Sequence, residues 1–304
     1  MSSPDIQWYP GHIAKAEKQL QNQLQRVDVV LEVRDARIPL STHHPDVARW
    51  VGDKSRVLVL NRKDMIPAEV MDQWQSWFRE RQERPYAANA QAGKGVKAIA
   101  QAAQQAGQAM NERRRARGMR PRPVRAVVIG FPNVGKSALI NRLLRKRVVD
   151  SARRPGVTRQ LRWIRISDEL ELLDAPGVLP SQLVDQDAAV KLAICDDIGE
   201  AAYDNQRVAA AFVEQIKALQ LQVPQYVSPG LLGDRYGPSA AEHTGEGYVV
   251  ALGEHRYQGD TERAARQLLQ DFRKGLLGPV PLELPETAAV EPVEMKDSSA
   301  SAPG

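Results

Sequence analysis

A loop of small residues that ends in lysine and serine is the clearest chemical signal in the sequence. Residues 130–137, GFPNVGKS, match the pattern GxxxxGK(S/T), whose backbone N–H groups wrap phosphates at the start of a helix. We expect the Lys136 ammonium to reach the outer phosphates and the Ser137 hydroxyl to bind Mg²⁺. The expected phosphate contacts come from Asn133, Val134, Gly135, Lys136, Ser137 and Ala138. The loop therefore predicts a nucleoside triphosphate site.

A second polar motif, NRKD at residues 61–64, follows an apolar run and can select the base. Asp64 can accept hydrogen bonds from the N1 and N2 hydrogens of guanine, and Asn61 can bond O6 and brace the loop. Arg62 stands where GTPases usually carry lysine, and its stem can still lie against the purine face; Lys63 completes the contact segment. Because Asn and Asp also form turns after strands, these four residues alone leave a simple turn as the alternative.

Three further segments would complete a site for GTP or GDP. Asn89 and Ala90 are expected to offer backbone contacts to guanine, with a flexible loop as the alternative. In DAPG, Asp174 would hold Mg²⁺ through water and the Gly177 N–H would touch the γ-phosphate; Thr158 would coordinate Mg²⁺ when that phosphate is present. Since each motif constrains a different part of one ligand, their joint occurrence predicts guanine nucleotide with Mg²⁺.

The elements that must position these motifs are strands and crossover helices. Apolar runs at 26–37, 56–61 and 124–130 predict buried parallel strands, whereas LRWIRIS at 161–167 and LELLDAPG at 170–177 predict a pair that makes the sheet mixed. Helical spacing is found at 68–82, and strong helix formers fill 96–118. The phosphate loop thus has the order of strand, loop and helix that its chemistry requires.

The chain is expected to form two regions and a tail. A nucleotide-binding domain would cover 1–184, with an N-terminal extension at 1–25, and a mainly helical RNA-binding domain would cover 185–280, with one possible strand at 248–252. The end, 281–304, is rich in Pro, Glu, Ser and Ala and is expected to be a disordered tail.

Composition limits the cellular setting. The 304 residues carry a net charge of +5 and a single cysteine, Cys195, which cannot form an internal disulfide and is expected to pack as a small apolar residue. Neither a basic leader with an apolar segment nor an apolar run of about 18 residues is found, so we expect a soluble cytoplasmic protein without a membrane partner.

The order of the motifs is reversed relative to most GTPases, because the guanine motif precedes the phosphate loop. A parallel sheet tolerates this, since its binding loops all lie at one edge wherever the chain begins. The predicted fold class is therefore α/β: a circularly permuted P-loop GTPase domain, with a mostly parallel sheet and helices on both faces, plus a smaller C-terminal helical domain.

This order, with WYPGHIAKA at 8–16, VRDARIP at 33–39 and GFPNVGKS, resembles the ribosome biogenesis GTPase A family, also called YlqF or RbgA. The similarity spans roughly residues 5–275 and is weakest after Asp185. The resemblance implies a role in late assembly of the large ribosomal subunit, with its precursor and rRNA as partners. The alternative function is an RNA-binding chaperone gated by nucleotide, in which turnover is incidental. A GTPase that assists tRNA modification is a third hypothesis.

Catalysis lacks one usual group. Val178 and Leu179 follow DAPG, where many small GTPases carry a glutamine that orients water, so hydrolysis should be slow without help. The resemblance implies that His12 orients the water; a helix-capping histidine is the alternative. Asn133 resembles the loop asparagine of potassium-activated GTPases, in which K⁺ supplies charge, with loop bracing as the alternative.

An arginine cluster precedes the phosphate loop and contains no acidic residue within its span. Such a cluster favours contacts to RNA phosphates rather than base reading, and a merely solvated helix end is the alternative. Its members are Arg113, Arg114, Arg115, Arg117, Arg120, Arg122 and Arg125.

Overall fold

The computed structural model describes residues 20–144, 162–174, 185–199 and 203–286. The predicted site residues His12, Thr158 and Gly177 lie outside the described residues, and so does the side chain of Asp174. Within the described part, no helix is long and apolar enough to cross a membrane.

A six-stranded sheet forms the centre of the first region, with the spatial order β3-β2-β1-β4-β6-β5. All neighbours pair in parallel except β5, which runs antiparallel to β6, so the predicted mixed sheet is confirmed. The strands are β1 (Val29–Asp35), β2 (Ser55–Asn61), β3 (Tyr86–Ala88), β4 (Val124–Ile129), β5 (Arg162–Arg165) and β6 (Leu170–Asp174).

Helices cover both faces of this sheet. They are α1 (Val47–Val51), α2 (Ala68–Glu80), α3 (Val96–Ala106), α4 (Gln108–Ala116) and α5 (Lys136–Leu143). Side chains alternate along a strand, so Val29 and Leu31 of β1 pack into the cluster that contains Ile99 of α3. Val30 belongs to a different cluster, with Leu20 and Trp50 of α1.

The single helix expected at 96–118 is instead two helices, α3 and α4, joined at Gly107. A Cβ placed on Gly107 would lie 2.4 Å from both γ-methyl groups of Val124, the first residue of β4. Only glycine allows the backbone to pass this close to the strand. The chain therefore turns at Gly107, and α4 runs on separately.

The second region is helical. Its helices are α6 (Gln186–Cys195), α7 (Asn205–Gln222), α8 (Leu231–Tyr236), α9 (Gly245–Arg256) and α10 (Thr261–Arg273). Three of the four long helices begin at an aspartate that accepts a backbone N–H three residues later, as N-caps do; these aspartates are Asp185, Asp204 and Asp260. Cys195 is buried at the end of α6, as its apolar character predicts.

The strand expected at 248–252 is wrong, because this segment lies inside α9. Thr244 caps the helix by accepting from the Gly247 N–H at 3.1 Å. Tyr248, Val249 and Leu252 are all buried, and this spacing fits one face of a helix rather than the alternation of a half-buried strand. The apolar run was too short to distinguish the two from sequence.

The expected start of the tail at residue 281 also needs correction. Residues 281–286 pack on the first region: the Leu282 and Glu283 N–H groups donate to the Arg37 carbonyl at 3.0 and 3.1 Å. The buried Glu283 carboxylate accepts from the Leu40 N–H at 2.7 Å and from Ser41. Residues 287–304 lie outside the described residues.

We expect Glu283→Ala to lower the free energy of unfolding by roughly 2 kcal/mol, because it removes several hydrogen bonds to a buried charged group. Chemical denaturation of the whole chain measures this decrease. Glu286→Ala is the matched control, since Glu286 is exposed in the same segment. Equal stabilities for the two variants would contradict an anchoring role for Glu283.

Candidate nucleotide-binding site

The predicted motifs meet in one cavity at the carboxyl edge of the sheet. Its volume is about 490 Å³. From the guanine motifs and the phosphate loop, its wall includes Asn61, Arg62, Asp64, Asn89, Asn133, Gly135, Lys136, Ser137 and Ala138. Of the other predicted contacts, Lys63 lies in the 3-10 turn Lys63–Met65, and the backbones of Ala90 and Val134 bond Asn61.

Asn61 braces three loops of the site. The side chain is buried, its Nδ2 donates to the Val134 carbonyl at 2.8 Å, and its Oδ1 accepts from the Ala90 N–H at 3.0 Å. Gly135 passes so close that a Cβ there would lie 2.1 Å from Asn61 Nδ2, and its φ of +102° favours glycine. The bracing role predicted for Asn61 is therefore present in the geometry.

Arg62 connects the guanine motif to two neighbouring segments. Its guanidinium lies 3.1 Å from the Asp35 carboxylate and donates to the Asn133 carbonyl at 2.5 Å. A lysine ammonium is a point charge, whereas the guanidinium fork reaches two partners in fixed directions. The replacement of the usual lysine thus gives this chain an additional link between β1 and the phosphate loop.

The phosphate loop places its cation at the start of α5. Lys136 is largely buried, and its Nζ donates to the carbonyls of Gly130 at 3.1 Å and Phe131 at 2.6 Å. Asn133 has a φ of +57°, and its Nδ2 donates to the Asp196 carbonyl at 2.6 Å. Asn133 therefore links the loop to the end of α6, and its role in binding K⁺ stays a prediction.

The Mg²⁺ ligands are described only in part. Ser137 lines the cavity, so its hydroxyl has the chemistry and the place to bind a hard cation beside phosphates. The backbone of Asp174 ends β6 and is paired with Val128 of β4, two residues before the phosphate loop. These positions fit the predicted metal site as far as the described residues extend.

Sequence reasoning missed the contribution of the helical region to this cavity. Cys195, Asp196, Arg273 and Lys274 also line it. No motif marks these residues, because they reach the cavity through packing between the two regions. The one signal in the sequence was the basic pair at the end of the amphipathic segment that forms α10.

A buried charged cluster lies behind the cavity. Burial would raise the pKa of Asp35, but its ion pairs with Arg37 and Arg62 outweigh burial and hold the pKa below the ordinary value. Burial raises the pKa of Asp197 well above its usual value, and the nearby Asp35 charge adds to this. Burial likewise raises the pKa of the Cys195 thiol.

Asp35, Cys195 and Asp197 bring their potential ligand atoms within 4.8 Å of one another. A metal ion there would face the guanidinium groups of Arg37 and Arg62, which already neutralise Asp35. The two guanidinium groups beside these side chains oppose the binding of a further cation. The cluster is therefore structural.

The family follows from comparison with known proteins. A family model described as "50S ribosome-binding GTPase" matches residues 125–226. The ribosome biogenesis GTPase A of Bacillus cereus is 37% identical over 287 residues, which cover 92% of this chain and 94% of that protein. The chain belongs to the ribosome biogenesis GTPase A family. The family resemblance deduced from the motifs is thus confirmed.

Two further matches extend this result. The mitochondrial ribosome-associated GTPase 1 of Bos taurus is 31% identical over 303 residues, 91% of this chain and 88% of that protein. The crystal structure of GNP-bound YlqF from T. maritima aligns with a TM-score of 0.62 and 24% identity, covering 90% and 99% of the two chains, and it confirms the circularly permuted fold. As a member of this family, the chain binds GTP and hydrolyses it to GDP and phosphate.

We expect Asp64→Asn to weaken GDP binding at least about tenfold, because the N1 and N2 hydrogens of guanine no longer meet a charged acceptor. Binding of xanthosine diphosphate should improve, since the asparagine amide can donate to the oxygen that replaces the guanine amino group. Calorimetric titration measures both affinities. Asp53→Asn, an exposed position just before β2, should change neither. Unchanged base preference in Asp64→Asn would show that Asp64 does not read guanine.

Proposed function

We propose that this GTPase is an assembly factor that binds the precursor of the large ribosomal subunit in its GTP state and is released after hydrolysis. Family membership supports the setting, because the relatives carry ribosome biogenesis in their names. The observation that carries the proposal is the cavity wall, which is built by both regions of the chain. Nucleotide in this cavity contacts the helical region as well as the GTPase core.

A small number of side chains bind the phosphates and Mg²⁺ in the proposed nucleotide site. We infer that the Lys136 ammonium donates to phosphate oxygens when nucleotide binds, in place of the Gly130 and Phe131 carbonyls to which it donates in this structure. The ammonium remains inside the phosphate loop in both cases. Ser137 would hold Mg²⁺, with Asp174 and Thr158 as the further predicted ligands; the ion neutralises phosphate charge when bound. The cavity leaves water orientation to a group outside its described wall, so rapid hydrolysis requires His12, K⁺ or the ribosomal particle.

A chain of short contacts connects the phosphate loop to the helical region. Asn133 bonds the Asp196 carbonyl at 2.6 Å, and Arg37 donates to the Cys195 carbonyl at 3.2 Å. Both acceptors lie at the end of α6. We propose that loss of the γ-phosphate shifts Asn133 and so changes its hydrogen bond to the end of α6. This change would add to the predicted ordering of Thr158 and Gly177 when the γ-phosphate is present.

The arginine cluster lies at the opposite end of β4 from the phosphate loop. Two members have carboxylate partners: Arg122 bonds Asp28 at 2.8 and 2.9 Å, and Arg125 pairs with Glu171 at 3.3 Å. Arg114 donates to the Arg120 carbonyl. Four members have exposed side chains and are proposed to bind rRNA phosphates: Arg113, Arg115, Arg117 and Arg120. RNA held there would anchor the protein at some distance from the nucleotide.

Sedimentation with large ribosomal subunits tests the proposal. We expect co-sedimentation with a GTP analogue, little with GDP, and GTP turnover that rises when subunits are added. Affinity for RNA falls as salt rises. The combined change of Arg113, Arg115 and Arg117 to Gln should make the slope of log affinity against log salt less negative, by roughly 0.7 for each RNA phosphate that these arginines neutralise.

Arg79→Gln is the control for that variant, because Arg79 is exposed on α2, outside the arginine cluster. Binding that is indifferent to nucleotide, with turnover unaffected by subunits, would favour the nucleotide-gated RNA chaperone. An unchanged salt slope would remove the arginines from the RNA interface.

We expect His12→Ala to lower subunit-stimulated GTP turnover at least about tenfold while leaving GTP affinity nearly unchanged. The reason is that a group that orients the attacking water affects the rate of hydrolysis and not the binding of GTP. Single-turnover rates and calorimetric titration separate the two quantities. Repeating the rates in K⁺ and Na⁺ reveals whether a cation acts beside His12, in which case K⁺ gives the faster reaction. Full turnover by His12→Ala would eliminate His12 as a catalytic group.

A further inference from the structure

The side of the nucleotide cavity formed by the helical region has its own cations. Cys195 and Asp196 come from the end of α6, and Arg273 and Lys274 come from the end of α10. Guanine O6 and N7 and the ribose hydroxyl groups accept hydrogen bonds, so ammonium and guanidinium donors in this wall are chemically matched to a nucleoside. None of the sequence motifs accounts for this wall.

The end of α10 is fixed beside the guanine-reading segment. The Arg273 guanidinium donates to the Ile194 and Ala193 carbonyls at 3.0 and 2.9 Å, which ties α10 to α6. Gly275 has a φ of +74°, and a Cβ there would lie 3.0 Å from the Met65 sulfur. Met65 follows Asp64 directly, so this end of α10 lies on the base side of the cavity.

Lys274 is the cation of this wall that remains available. Its side chain is exposed, and among the described residues no carboxylate or carbonyl lies within bonding distance of its ammonium. The other cations of the cavity are already engaged: Arg62 with Asp35, Lys136 with its own loop, and Arg273 with α6. The carboxyl end of α10 carries a partial negative charge that stabilises the Lys274 ammonium beside the cavity, where it can donate hydrogen bonds to oxygen and nitrogen acceptors.

We propose that Lys274 is a nucleotide-binding residue supplied by the helical region, contacting the guanine base and ribose of GTP and GDP. The nucleotide then bridges the two regions, because Asp64 and Lys274 hold it from opposite sides. This inference depends on the guanine nucleotide binding of the family and not on any ribosomal partner.

Calorimetric titration of the full chain with unlabelled nucleotides tests this. Lys274→Gln should weaken GDP and GTP-analogue binding about three- to fivefold, the range expected for one exposed charge. Lys274→Arg should stay within about twofold of the wild type. Lys54→Gln is the matched control, since Lys54 lies before β2 at the opposite edge of the sheet, and its affinity should be unchanged. Wild-type affinity in Lys274→Gln would overturn the proposal.

Two measurements separate direct binding from a structural effect. GDP should protect Lys274 from acetylation while Lys54 still reacts, and equal reactivity of Lys274 with and without GDP would overturn direct binding. The decrease in affinity in Lys274→Gln should be the same for GMP, GDP and the GTP analogue. A decrease that grows with the number of phosphates would overturn the assignment to base and ribose.

Discussion

The buried ion pair between Asp35 and Arg37 is the interaction on which the rest of the structure depends. Both side chains are fully buried, and the Asp35 carboxylate accepts from the Arg37 backbone N–H at 2.9 Å and from its guanidinium at 3.0 and 2.7 Å. Arg62 adds a second guanidinium to the same carboxylate. These hydrogen bonds offset part of the cost of burying the pair and hold the three residues in one geometry, although Arg37 Nη1 has no hydrogen-bond partner among the described residues.

This pair and Arg62 join β1 to four other parts of the chain. Asp35 ends β1, and Arg62 carries the link to the guanine motif and to the Asn133 carbonyl. Arg37 donates to the Cys195 carbonyl of α6, while its own carbonyl accepts from the N–H groups of residues 282 and 283. Arg37 and Arg62 hold the pKa of the Asp35 carboxyl below its usual value despite its burial, which favours the ionised form that accepts these hydrogen bonds.

The sequence was sufficient for features that are local or that follow from sheet geometry. Glycines, a lysine and a hydroxyl at fixed spacing mark the phosphate loop, and carboxyl ends of parallel strands meet at one edge, so Asn61 and Lys136 were predictable neighbours. Features that depend on packing were not predictable. The close approach at Gly107 involves Val124, and the hydrogen bonds of Glu283 involve the loop after β1. Lys274 lies at the cavity at the end of α10, which Arg273 bonds to α6.

The permuted order gives the helical region two attachments to the sheet. The chain leaves the sheet from β6 to enter that region, and residues 281–286 return to the end of β1. In the sheet, β1 lies directly beside β4, and a Cβ on Gly130 would lie 2.3 Å from the Val33 carbonyl, so the end of β1 and the start of the phosphate loop cannot move independently. The phosphate loop is therefore linked to the helical region both through Asn133 and through the end of β1.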